Sequence, residues 1–164
     1  VRRAVADRLP PAELAVLLRD PDREVRITVA NRLPPEALPA LLADPDYLVR
    51  QIVARRLPHG RLAQLARDPE PEVRKEVARR LPAFALKKLA GDPEPEVRRI
   101  AAARMLPADA TGLLADADWR VRLEAALRAP AAALAALVDD AEESVREVAR
   151  ARIIPTATSK DSSP

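Results

Sequence analysis

The sequence predicts an all-α solenoid built from 24-residue repeats, each an α-helix followed by a much shorter helical segment. Three observations carry this. A Val-Arg pair recurs at residues 1, 25, 49, 73, 97, 121 and 145 without an insertion. An Asp opens the same step of every complete repeat (Asp20, Asp44, Asp68, Asp92, Asp116, Asp140), with a second acid two residues on. Finally, Tyr47, Phe84 and Trp119 are the only aromatic residues. A core must then be assembled from many small aliphatics, which suits stacked layers better than one globular centre.

One unit shows the chemistry of each element. Asp20-Pro21-Asp22 reads as a helix start, with Asp20 as N-cap, Pro21 at the first helical position and Asp22 facing the positive end of the dipole. The helix is expected to run to about Leu33, where Pro34-Pro35 stops it. Val25, Val29 and Leu33 fall on one apolar stripe, and Ala30 allows a neighbour to approach closely. The second segment, from Pro35 to Ala43, offers Leu38, Leu41 and Leu42 for burial. It is short and contains Pro39, so a short helix or 3-10 turn is expected rather than a second full α-helix. A single unit cannot cover its own stripe, whereas stacked copies can.

About six and a half units fill residues 1–155, and residues 156–164 read as a disordered polar tail. Departures from the pattern cluster late. Ala117 and Ala141 stand where other repeats have the helix-start proline, and Leu106 and Ile154 stand at the turn proline. Ala101, Ala125 and Ala149 replace the inner valine, so these repeats should pack more loosely unless Ile100, Leu123 and Val148 compensate. Val1 opens in mid-helix, ahead of which a start like Asp20-Pro21 is expected.

Several classes of function find no material here. Cysteine is absent, which removes disulfides, thiolate metal sites and thiol nucleophiles from this chain. Apolar runs fall short of a membrane span, and the start lacks the regions of a signal peptide, which reads as a cytoplasmic protein. The lone histidine, His59, follows Pro58 in a loop. The serines are Ser144 and those of the tail, with no base placed beside them by the repeat. Recurrent carboxylates are explained by capping, and no glycine-rich phosphate loop occurs. The expectation is a non-enzymatic chain without catalytic, cofactor or metal residues.

Two arginine columns remain. Counting Val1 as position 0, the first column lies at position 1; from Arg26 onward each member follows an acid four residues earlier, a favourable helical pair. A ladder to a neighbouring Asp fits the same structural role. The second column, at position 7, holds Arg8, Arg32, Arg56, Arg80, Arg104, Arg128 and Arg152. Its simplest account is a cation near the helix C-terminus. Its functional account is a row of guanidiniums roughly 50–60 Å long, if helices stack about 8–10 Å apart. Such an edge would grip an anionic surface. Arg55-Arg56, Arg79-Arg80 and Lys87-Lys88 concentrate positive charge in the third and fourth repeats, where an anionic partner should dock. Against a dedicated nucleic-acid binder stands a formal charge of only +3. Tyr47 and Trp119 share a place in the first helical turn, where interface anchoring and packing on the next repeat explain them equally.

The pattern Asp-Pro-acid-x-x-Val-Arg-x-x-Val-Ala-x-Arg-Leu-Pro followed by Leu-x-x-Leu resembles the leucine-rich repeat variant family over residues 1 to about 155. That resemblance implies alternating α and 3-10 helices in a right-handed superhelix without strands. It also implies a short cysteine-rich module ahead of the repeats holding a 4Fe-4S cluster, and an association with nitrogen-fixing bacteria. The Asp and Val-Arg step is similar to the second helix of HEAT repeats too, though those units carry two full helices. The function expected is therefore a protein-binding scaffold serving as the repeat arm of a cluster-bearing protein. The alternative is a HEAT-like binder of nucleic acid or another polyanion; no membrane partner is expected.

Overall fold

The computed structural model describes residues 1–153, so the tail expected at 156–164 lies outside the described residues. Seven helices succeed one another at the repeat spacing: α1 (Arg2–Ala6), α2 (Arg23–Arg32), α3 (Tyr47–Arg56), α4 (Pro71–Arg80), α5 (Pro95–Arg104), α6 (Trp119–Arg128) and α7 (Glu143–Ile153). Between them run short segments, 3-10 at Pro11–Leu17, Leu38–Leu41 and Ala83–Leu89. Two of the others open with one α turn, His59–Leu62 and Pro107–Ala110, before passing into 3-10. No strand occurs among the described residues, and each long helix packs on the next. The chain is the all-α solenoid that the period predicts.

The helix starts differ from the sequence reading in one respect. The N-cap is the second acid: the carboxylates of Asp22, Asp46 and Asp118 accept from the backbone N–H two residues on, at 2.9, 2.9 and 2.8 Å. Pro21 accordingly precedes the helix, whereas Pro71 and Pro95 occupy first-turn positions of α4 and α5. Asp20 instead folds the turn leading in, accepting from the Asp22 N–H at 2.9 Å. An Asx turn of this kind holds the backbone short of helical geometry for two further residues.

Helix ends rely on an extended residue ahead of proline rather than on glycine. Leu33, Leu57 and Leu81 have φ near −57° and ψ between 138° and 143°. The proline that follows disfavours helical geometry at that leucine, which turns inward and is at most 2% exposed. Leu106 lacks the proline ring yet keeps the same backbone, φ −62° and ψ 144°.

The core is one continuous column. Val25, Val29, Val53, Val73 and Val77 lie on its helix side and Leu38, Leu62, Leu65, Leu86 and Leu89 on its short-segment side. Leu42 is half-buried. In the later repeats Ala101, Ala125 and Ala149 are fully buried, with Ile100 also buried and Leu123 and Val148 packed against the core. Replacing valine by alanine removes two methyl groups from the column, and these larger neighbours, one or two positions earlier, pack against it.

Candidate functional site

The two charged columns hold most of the recurring polar chemistry. At position 1 five guanidiniums, those of Arg26, Arg50, Arg74, Arg98 and Arg122, each bridge the turns before two successive helices. Arg26 donates from Nε and Nη2 to the Asp44 carboxylate at 2.8 and 3.1 Å, and from Nη1 to the Asp20 carbonyl at 2.8 Å. Arg50, Arg74, Arg98 and Arg122 repeat this on Asp68, Asp92, Asp116 and Asp140. The partner is the Asp 18 residues ahead, in the turn that leads into the next helix, and not the acid four residues back. The fork geometry decides this: two parallel N–H groups fit a carboxylate held rigid by its own turn better than a flexible acid on the same helix.

This ladder is nearly dry, the Arg74 and Asp92 side chains being 9% and 4% exposed. Bonding to the facing carboxylate raises the pKa of Arg26, Arg50, Arg74, Arg98 and Arg122. In return Arg98 holds Asp116, and Arg122 holds Asp140, below the usual carboxylate range. No buried side-chain nitrogen or oxygen among the described residues lacks a partner.

Six of the position-7 arginines, read from sequence as a candidate anion-binding row, donate to backbone carbonyls of the preceding repeat; Arg32, Arg56, Arg80 and Arg152 are half-buried, while Arg104 and Arg128 stay exposed. Arg56 Nη1 donates to the Ala30 carbonyl at 2.6 Å, and Arg80 Nη1 to Ala54 and Leu57 carbonyls at 2.6 and 2.9 Å. Arg32 and Arg104 reach Ala6 and Ala78 in the same way, Arg152 reaches Ala126, and Arg128 donates from Nε to Met105. The acceptors lie in the last turn or at the C-cap of the preceding helix, where carbonyls have no partner of their own. Arg8, at the first repeat, stands exposed beside an apolar cleft lined by Val1, Val5 and Leu9.

The basic pairs separate in space. Arg55 and Arg79 lie on the outer face of α3 and α4, about half exposed, and both bond the Glu76 carboxylate at 3.1 Å. Lys87 and Lys88 lie on the opposite, 3-10 side, in the Ala83–Leu89 segment, where Lys87 reaches Asp109 at 3.3 Å. The sequence concentration of charge is thus divided between two faces. Lys88 joins Arg67 at the rim of an open cleft of about 340 Å³ between the third and fourth repeats, with Arg74, Asp68 and Asp92 among its lining residues.

Sequence reasoning missed Arg67 and Phe84. Phe84 is 73% exposed in the segment that carries the lysines. The signal lay in the non-repeating positions: the counterparts of Phe84 are Ala12, Glu36, Gly60, Ala108 and Ala132. Trp119 is half-buried with the Arg120 guanidinium 5.2 Å from its ring, while Tyr47 is 39% exposed. His59 is exposed.

Among the described residues no group of three or more His, Cys, Asp or Glu is placed to hold a metal ion. A 4Fe-4S cluster needs thiolate ligands, which a chain without cysteine does not supply, so the residues present do not fit that group.

The repeats themselves match a known family. The leucine-rich repeat variant profile matches three successive units, residues 23–46, 47–70 and 71–94. A solved structure described as a leucine-rich repeat variant with a novel repetitive structural motif is 52% identical, with a TM-score of 0.85. The chain belongs to the leucine-rich repeat variant family. The match covers 92% of this chain and 64% of that one, so the chain spans less than two thirds of its relative's length. The X-ray structure of YibA from E. coli is similar in fold alone, with 19% identity, a TM-score of 0.52, and coverage of 90% of this chain and 71% of that one. Comparison with curated proteins gave no match.

Proposed function

We propose that these leucine-rich repeat variant repeats form a non-catalytic, protein-binding scaffold of the cytoplasm. One observation carries the reading: the recurrent Asp and Arg columns are spent between repeats, Arg74 on Asp92 and Arg80 on Ala54 being examples. Specific recognition then falls to the exposed positions that differ from repeat to repeat, displayed on a regular frame. The alternative, a HEAT-like nucleic-acid binder, would draw on Arg32, Arg56, Arg80, Arg104 and Arg128. Because those groups bond the neighbouring helix or its cap, a protein partner is favoured. No described helix is long and apolar enough to cross a membrane.

The experiment is co-purification of the complete protein from its native cell, with duplex DNA titrated in parallel at rising salt. A stoichiometric protein partner is expected, with weak DNA affinity that vanishes at moderate salt. DNA binding that persists there with no protein partner would favour the polyanion reading. On the resemblance alone, the scaffold is further proposed to be the arm of a protein bearing a 4Fe-4S module outside these repeats. Iron and sulfide measured in anaerobically purified complete protein test that part, and the absence of both removes it.

A further inference from the structure

The six short segments differ in charge in a way the frame does not require. Four of the stretches between a helix end and the next ladder Asp-Pro or Asp-Ala step carry one acid of their own: Glu13, Glu36, Asp109 and Asp139. The third and fourth carry none. They hold Arg61, Arg67, Lys87 and Lys88 instead, all exposed. The carboxylates in the cleft between these two repeats, Asp68 and Asp92, are already committed to Arg50 and Arg74 at 2.7 Å. Arg67 and Lys88 are therefore its uncommitted charges. Phe84, four residues before Lys88 in the same segment, leaves most of its ring in water, while Leu86 and Leu89 of that segment are buried.

We propose that Phe84 and the cleft between Arg67 and Lys88 form a docking surface for an acidic protein segment that carries an apolar residue. The proposal rests on the scaffold reading and names its site and partner chemistry. At about 2 Å of rise and three residues per turn in a 3-10 helix, Phe84 and Lys88 stand roughly 8 Å apart along the segment and about a third of a turn apart around it. An extended peptide covers that distance in two or three residues. The partner should thus place an aliphatic or aromatic side chain on Phe84 and a carboxylate two or three residues away over Arg67 and Lys88. A central apolar contact ringed by charge is the common anatomy of a binding hot spot. A nucleic-acid strand fits less well, since one aromatic ring is no stacking platform and the two cations form no extended row.

The test is selection of twelve-residue peptides from a random displayed library against the whole chain, followed by titration of one selected peptide. Enrichment of acidic sequences with an apolar residue two or three positions from an acid is expected. Phe84→Ala, Arg67→Glu and Lys88→Glu should each weaken binding about tenfold. Arg19→Glu, at the same repeat position as Arg67 but in the first repeat, should leave binding unchanged. Unaltered circular dichroism and melting would confirm that each exposed substitution spares the fold. No enrichment, non-acidic sequences, binding indifferent to Phe84→Ala, equal loss in Arg19→Glu, or displacement of the peptide by duplex DNA would each overturn the proposal. Native co-purification with wild-type and Phe84→Ala protein keeps the two readings distinguishable. A partner retained equally by both sinks this surface and leaves the scaffold, whereas no partner for either sinks the scaffold.

Discussion

The two arginine edges of the solenoid use the same side chain at the same period for different ends. At the helix starts Arg26, Arg50 and Arg74 lock onto carboxylates in a dry ladder. At the helix ends Arg56 and Arg80 satisfy backbone carbonyls and stay half-buried. The first edge joins two charges that are costly to bury alone; the second joins a charge to a dipole that water also solvates. The edges should therefore fail differently, although a repeat alignment within the chain would rank the two columns alike.

Removing one ladder member should have the largest effect. Arg74→Ala leaves Asp92 buried without its countercharge, and breaking a buried pair costs about 3–5 kcal/mol. Hydrogen exchange should show the loss centred on α4 and the Ala83–Leu89 segment, fading with distance. Arg74→Lys should rescue little, because a point charge does not reproduce two parallel N–H groups plus a third to Asp68. A loss below about 1 kcal/mol would show that water reaches the ladder.

Arg80→Ala is the matching change on the other edge, and about 1.5–3 kcal/mol is expected for hydrogen bonds made by a charged group. Denaturant titration of both variants compares the edges directly. A larger loss for Arg80→Ala than for Arg74→Ala would reverse the assignment of roles.

Acid should separate the edges without a mutation. Asp116 and Asp140 titrate below their ordinary range when folded, chiefly through Arg98 and Arg122. Their contribution is thus fully present above the ordinary aspartate pKa, and it is lost as pH falls through the lowered folded values. Guanidinium bonds to backbone carbonyls do not titrate in that window. Amide exchange followed during acidification should open the starts of α6 and α7 before the Arg104 and Arg128 contacts at the ends of α4 and the α5 cap. Simultaneous opening of both edges would remove the distinction.

Much of this was legible in the sequence because periodicity reports what every copy must do. The unbroken Val-Arg spacing, Leu33-Pro34 and the Leu38 and Leu41 pair fix period, turn and core, since each repeat solves the same burial problem. The two-residue offset in the N-cap was not legible, as Asp20 and Asp22 are both good caps and only the Arg2 contact to Asp20 shows which is taken for the ladder. Nor could periodicity reveal the destination of the Arg56 guanidinium, because its acceptor is a backbone carbonyl 26 residues earlier, which any residue would supply. The Arg67, Phe84 and Lys88 surface is hidden for the opposite reason: it consists of positions where one repeat departs from the others.

The smallest effect belongs to a residue on neither edge. Arg55 lies in the same concentrated stretch of charge as Arg56, yet its side chain is 54% exposed and shares the Glu76 carboxylate with Arg79. Glu76 is itself mostly buried, so its charge needs a partner, but either arginine suffices. Arg55→Ala should therefore cost about 0–1 kcal/mol, and added salt should shrink even that, as for exposed pairs generally. Removing Arg55 and Arg79 together should cost more than the sum of the single changes, because Glu76 would then lose both. Melting of the two single variants and the double variant closes the cycle. Additive losses would mean that Glu76 finds water on the outer face of α4, and that its two arginines act independently.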